Sequence, residues 1–310
     1  MSRRTVIAAV DGSAESLAAA EWAAREAGLR GLPLRILHAW QDWSPAFTHA
    51  PFLGTDTTPG GTTVTRHWAE RVPREVADRL RKDHPELNVG VEQVFGRPAQ
   101  VLLSAAEKAE VLVLGSRGLR PLGGFMAGSV SMPVIAHAER PVVVVRAGER
   151  AEDGQRSGSG DSVAGKGGYF DVVVGLDLSR PCDELIAYAF EAAAARSATL
   201  RVVHGWTAPV VFGYDPAAAD PGHSVARGLR EASALTDALR PWRGKFPGVE
   251  VTEQCVVGRA ADHLVDASKD ASLLVVGRRI RRAAIGTHIG PVTHAVLHHA
   301  AAPVAVIPHL

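Results

Sequence analysis

Thr5-Val-Ile-Ala-Ala-Val-Asp-Gly-Ser13 returns downstream as Val172-Val-Val-Gly-Leu-Asp-Leu-Ser179, and this recurrence decides the fold. Four more segments recur with it. Leu34-Arg-Ile-Leu-His-Ala-Trp40 matches Leu200-Arg-Val-Val-His-Gly-Trp206, and Gly96-Arg-Pro98 matches Gly258-Arg-Ala260. Val111-Leu-Val-Leu-Gly115 matches Leu273-Leu-Val-Val-Gly277, and Arg140-Pro-Val-Val-Val-Val145 matches Ala302-Pro-Val-Ala-Val-Ile307. Asp11 and His38 each recur 166 positions on, Gly115 and Pro141 each 162, so the copies differ by four residues between His38 and Gly96. Five segments held in register mark a tandem duplication.

Between the copies, residues 148–168 are rich in Gly and Ser and lack apolar periodicity, which is the composition of a flexible linker. The expected domains are therefore 1–147 and 169–310. In the first, short and nearly continuous apolar runs (Val6–Val10, Leu34–Ala39, Val89–Phe95, Val111–Leu114, Val142–Val145) alternate with helical stretches. Runs without polar alternation suit strands covered on both faces. The expected class is α/β, two tandem doubly wound parallel-sheet domains with right-handed crossovers. Residues 13–29 place Leu17, Ala20, Ala24 and Ala27 on one helical face, and 63–84 do the same with Trp68, Val72, Val76 and Leu80. Pro73 either kinks that second helix or marks its start. Its counterpart, 224–242, carries Val225, Leu229, Ala232, Leu235 and Leu239.

Composition narrows the function. Hydrophobic residues are 46% and charged residues 22% of the 310, as in globular chains, and the net charge is +1 although 29 of the 34 basic residues are Arg. So even a balance gives no electrostatic footprint for nucleic acid. The apolar run after Arg3 and Arg4 stops at Asp11, too short for a signal peptide, and no stretch approaches the ~20 apolar residues of a membrane span. Cys182 and Cys255 show no metal-ligand or CxxC spacing. A cytoplasmic protein without membrane or nucleic-acid partners is expected, with the cysteines as apolar fillers rather than redox sensors.

Ligands of doubly wound sheets sit beyond the carboxyl ends of the strands. There the first copy carries Asp11-Gly12-Ser13 after strand one. After strand four come Gly115-Ser-Arg117-Gly118, nine residues, and Gly128-Ser129-Val130 opening a helix. A polyphosphate needs close backbone N–H groups, which glycine permits, and a helix amino end, whose dipole favours anions. Arg117 adds charge, and Asp11 can accept from ribose hydroxyls. A lone Gly-x-x-Gly is more simply a turn, but the longer pattern is far more specific.

These residues resemble the ATP-binding branch of the universal stress protein family, over both copies. In that family Gly-x-x-Gly-x9-Gly-[Ser/Thr] holds ribose and triphosphate, which implies those roles for Gly115, Gly118, Gly128 and Ser129. The resemblance further implies an acidic ligand at Asp11 and adenine read by the backbone of Ala39. Ala9 and Leu114 would be walls of the adenine pocket, with Gly12, Ser13, Arg117 and Val130 beside them. It implies ATP as ligand, strand order 3-2-1-4-5, and two domains related by a pseudo-twofold through their fifth strands, Val142–Val145 and Val304–Ile307. Whether Mg2+ accompanies the triphosphate, and whether two chains form a homodimer, stay open.

The second copy keeps the frame and loses the fingerprint. Ile280 stands where Gly118 stood, Pro291 where Ser129 stood, and Leu178 where Gly12 stood. A β-branched residue is costly at positive φ, and proline removes an N–H donor. Asp177, Gly277 and Gly290 remain to hold an adenosine end, and Arg278, Arg279, Arg281 and Arg282 either compensate by direct charge or form a solvated or pairing surface. His294 and His298, at i and i+4 beside His288 and His299, have the spacing of a chelate. No HExxH carboxylate or Cys partner accompanies them, so no metal site is assigned. His38 and His204 read as satisfied residues beside the sites. Residues 41–61 and 207–222 read as long loops, either lids or disordered. No catalytic residue is assigned: Walker A and a metal-holding second carboxylate are absent from the loop motif. The leading reading is a nucleotide-dependent regulatory or binding module of the stress response; the alternative is a slow ATPase or transferase using the same pocket.

Overall fold

The central strands form where apolar residues meet a layer of helices on either side. Val6 and Ala8 pack into one layer, and Ile7 between them into the other. The computed structural model describes residues 4–41, 61–116, 130–147, 169–207, 221–280 and 289–310. The linker 148–168 and the two long loops lie largely or wholly outside them.

The first half runs β1 (Val6–Ala9), α1 (Ala14–Arg30), β2 (Leu34–Trp40), α2 (Gly61–Asp83), β3 (Val89–Phe95), α3 (Pro98–Glu107), β4 (Val111–Ser116), α4 (Ser131–His137) and β5 (Val142–Arg146). The second runs β6 (Asp171–Gly175), α5 (Asp183–Arg196), β7 (Leu200–Trp206), α6 (Pro221–Lys245), β8 (Val251–Val257), α7 (Ala260–Ala267), a 3-10 turn (Ser268–Asp270), β9 (Ala271–Arg279), α8 (Pro291–His299) and β10 (Val304–His309). One sheet joins them in the order β3-β2-β1-β4-β5-β10-β9-β6-β7-β8. Each half is thus a parallel 3-2-1-4-5 sheet, and the two meet where β5 and β10 pair antiparallel. There Val143 faces Ala305, its own repeat equivalent, so a pseudo-twofold passes through that pair. Helices α1, α2, α5 and α6 cover one face of the sheet, and α3, α4, α7 and α8 the other. Among the described residues no helix is long and apolar enough to cross a membrane.

Two helices depart from the sequence reading. α2 continues through Pro73 from Gly61, so that proline lies inside the helix and does not start it. In α6, Leu235 and Leu239 are buried as expected, but Val225 and Leu229 are 63% and 68% exposed. A 25-residue helix is about 37 Å long, against about 23 Å for the seven-residue β8, so its first turns overhang the sheet.

Between α1 and α5, across the seam, lies a buried ionic cluster. Glu26, 1% exposed, accepts from Arg30 Nε at 2.6 Å on one carboxylate oxygen and from Arg196 Nη2 at 2.5 Å on the other. Arg30 and Arg196 are repeat equivalents, whereas the equivalent of Glu26 is Ala192. One carboxylate therefore serves two symmetry-related guanidiniums. Arg30 lies 4.9 Å from the Tyr188 ring centroid and Arg196 5.9 Å from that of Trp22. Burial alone would raise the Glu26 carboxyl, but Arg196 and Arg30 hold it below the usual range. Burial pushes the Tyr188 hydroxyl up to about 12, against the pull of Arg30.

The last helices are tied across the same seam. Arg278, 3% exposed, donates to Ala136 O at 2.9 Å and to Ala138 O, at the carboxyl end of α4. Reciprocally, Arg146 donates to Leu297 O near the end of α8, at 2.8 Å. Cations at helix carboxyl ends meet both the unpaired carbonyls and the dipole.

Removing one partner of a buried pair leaves an uncompensated charge. Glu26→Ala is expected to cost about 3–5 kcal/mol in urea denaturation near neutral pH. The folded-state pKa of Glu26 is lowered, so its stabilisation is complete above the ordinary glutamate value of about 4.3. It is lost as pH falls through the lowered folded value. The cost of Glu26→Ala should therefore shrink in unfolding curves taken below that range.

Candidate functional site

Beyond Ala9 the chain makes a tight turn that Gly12 permits by adopting φ +84°. The turn is closed by side chains. Asp11 Oδ1 accepts from Ser13 N at 3.0 Å and from Ser13 Oγ at 2.5 Å, and Ser13 Oγ caps α1 by accepting from Ser16 N at 3.2 Å. Ser16 Oγ donates to Ser13 O at 2.9 Å and accepts from Asp11 N at 3.3 Å. His38 Nδ1 lies 2.7 Å from Val10 O, tying β2 to the same turn. The Asp11 carboxylate is thereby held at the carboxyl end of the sheet by its own neighbours.

A cavity of about 290 Å³ opens there, lined by Ala9, Asp11, Ser13, Ala39, Leu114, Gly115 and Val130 among the residues singled out from the sequence. Gly12 is not on its wall: lacking a side chain, it shapes the turn instead. Arg117, Gly118, Gly128 and Ser129 lie outside the described residues. The helix after them opens at Ser131, with Val130 as its N-cap residue. Leu37, Pro98 and Leu102 complete an apolar slot, and Glu15, Ser16 and Ser131 add polar wall that the sequence reading missed. One signal was available: Ser131 aligns with Thr293. Both hydroxyls donate to the carbonyl of the strand-end glycine, Ser131 to Gly115 O at 3.4 Å and Thr293 to Gly277 O at 2.9 Å.

Gly115, besides lining the cavity, has a packing reason that the motif does not show. A Cβ there would meet the backbone of Glu15 at 2.6 Å and Ser16 N at 2.7 Å. Its bareness lets the first turn of α1 sit on the end of β4.

The second half has the same Asp turn, with Ser179 N and Oγ at 3.0 and 2.7 Å from Asp177 Oδ1. Beyond that turn the two halves diverge. Leu178 does not take the positive φ of Gly12, and α5 begins at Asp183, capped by Cys182, three residues late relative to α1. With the first turn of helix missing, the nearest atoms to a Cβ on Gly277 would be the side-chain ends of His309 (3.0 Å) and Leu185 (3.4 Å). The cavity widens to about 500 Å³, and Asp177, Gly277 and Gly290 all line it.

Charge changes with shape. Among its described residues the first cavity has Asp11 and Glu15 as charged groups, whereas the second has Arg180 and Arg279 as well as Asp177 in its lining. Of the arginines read as compensating donors, Arg278 is committed to α4, Arg279 lines the cavity, and Arg281 and Arg282 lie outside the described residues. His204 Nδ1 lies 2.9 Å from Leu176 O, as His38 does from Val10, but its buried Nε2 has no hydrogen-bond partner and stands 3.6 Å from Glu231. Burial pushes the Cys182 thiol up to about 11, so it caps its helix as a thiol.

Known proteins resemble this chain over nearly its whole length. The model of the "Universal stress protein family" matches residues 2–146 and 168–308. Universal stress protein Rv2005c of Mycobacterium tuberculosis is 32% identical over 306 residues, covering 97% of this chain and 96% of that protein. Universal stress protein Rv2623 of the same species is 30% identical over 308 residues, covering 97% and 95%. The crystal structure of a universal stress protein from Archaeoglobus fulgidus superposes with a TM-score of 0.68 at 16% identity, covering 99% of both chains, and so shares the fold.

The two strand-end glycines should respond differently to one methyl group. Gly115→Ala pushes on backbone and is expected to cost about 1–3 kcal/mol of overpacking strain. Gly277→Ala pushes on side-chain ends that can rotate, and should cost under half as much. Thermal melts of the two variants measure the contrast.

Proposed function

The chain belongs to the universal stress protein family, and on that footing we propose that its amino-terminal half binds ATP above β1, β2 and β4 as a nucleotide-dependent regulatory module of the cytoplasm. The observation that carries the reading is one cavity bringing together an apolar slot and a carboxylate fixed by its own turn. Leu37, Ala39, Leu102 and Leu114 suit a planar base, with specificity left to backbone groups near Ala9 and Ala39. Asp11 suits the ribose hydroxyls.

Charge directs the rest of the ligand. Asp11 and Glu15 repel phosphate, so the triphosphate extends toward residues 117–129, which carry Arg117, Gly118, Gly128 and Ser129. Backbone amides and the arginine supply its countercharge there, and Mg2+ entering with the nucleotide would neutralise more. The second half lacks both the Gly118 equivalent and the first turn of the helix, so triphosphate binding there is weaker.

Native mass spectrometry of the purified chain should find about one adenine nucleotide per molecule. Asp11→Ala should weaken ATP about tenfold, the loss of one charge-assisted hydrogen bond. Gly128→Val should abolish retention, and full retention by that variant would refute the site. Multiple turnovers per site, lost in Asp11→Ala, would replace the binding reading with an enzymatic one.

A further inference from the structure

His294 and His298 stand one turn apart on α8, and their rings converge: the two Nε2 atoms lie 3.3 Å apart and the ring centroids 4.4 Å apart. Spacing at i and i+4 puts two side chains on one face but leaves the rings free to point apart. Here they point together. Two imidazole nitrogens on a tetrahedral ion, each at ~2.05 Å, are held about 3.3 Å from one another. The pair thus already has the bite of a chelate.

We propose that His294 and His298 form a two-histidine site for a borderline divalent transition-metal ion of the zinc, nickel or copper class, separate from both cavities. Without an ion, one Nε2–H donates to the other Nε2. To bind, the donor ring moves its proton to Nδ1, so that both lone pairs face the metal and the neutral pair releases no proton.

The ion class follows from the donors. Neutral imidazole suits zinc, copper and nickel, whereas magnesium and calcium select oxygen. Among the described residues no group of three His, Cys, Asp or Glu side chains is placed to hold a metal. The two histidines supply two of the positions of a tetrahedral ion. In the first half Met132 and Ala136 stand at the equivalent positions of α4, so the chelate belongs to the second copy.

Calorimetric titration of the nucleotide-free full chain with ZnCl2 and NiCl2 tests this. About one ion per chain should bind in the micromolar range, with His294→Ala and His298→Ala each weakening it at least about tenfold and His299→Ala leaving it unchanged. MgCl2 should give no binding heat at the same concentrations. Variants should melt at the wild-type temperature, since His294 is exposed and His298 only partly covered. Binding that survives in both single variants, as metal held by the cysteines would, overturns the proposal, as does the absence of zinc and nickel binding by the wild type.

Discussion

A parallel sheet ending in Val142-Val-Val-Val-Arg146 has an edge whose N–H and C=O groups need partners and whose side chains need cover. β10 provides both, pairing Val304, Ala305 and Val306 with Val144, Val143 and Val142. The hydrogen bonds of that seam are indifferent to which copy supplies which strand, because the two edges are nearly the same sequence. Glu26 removes the indifference. It stands in the first copy alone, fully buried between Arg30 and Arg196. A second half paired with another second half would bury two copies of Arg196 with Ala192 where the carboxylate should be. The seam is therefore asymmetric, one carboxylate of the first half serving a guanidinium from each half.

From the same asymmetry one local change propagates through the second site. Losing the glycine at the position of Gly12 removes the positive-φ turn. Without that turn the helix starts later, at Asp183, and the space over Gly277 is no longer filled by helix backbone. The cavity becomes larger, and the amides of the missing turn are replaced by the guanidiniums of Arg180 and Arg279. Shape and charge thus diverged together, because both depended on one turn of helix.

The repeat, the strands and the acid at the end of strand one were legible because each rests on local sequence. Val89–Phe95 could be bounded correctly from its residues alone. Legibility failed wherever the cause lay in another element. The packing constraint on Gly115 could not be read from its motif because the backbone it meets, that of Glu15, is 100 positions away. For Arg278 the sequence leaves ligand donor, solvated loop and pairing surface open, because nothing in its neighbourhood announces the carbonyls of Ala136 and Ala138. Val225 and Leu229 fit a buried stripe by periodicity, but periodicity does not say where the sheet beneath stops. The spacing of His294 and His298 was plain, whereas the convergence of their rings is a matter of rotamers.

Because β5 and β10 run antiparallel, the carboxyl ends of the two halves, and hence the two cavities, lie at opposite ends of one continuous sheet. Short helices nevertheless join each cavity to the other half. α4 lines the first cavity with Val130 and Ser131 at its start, and at its other end its carbonyls are held by Arg278, the residue after Gly277 of the second cavity. α8 lines the second cavity with Gly290 and Pro291, and is held near its end by Arg146 of β5. A ligand that shifted the first turn of either helix would work against hydrogen bonds made across the seam. Each cavity therefore has a wall whose far end is anchored in the opposite half, although its lining comes from its own half alone.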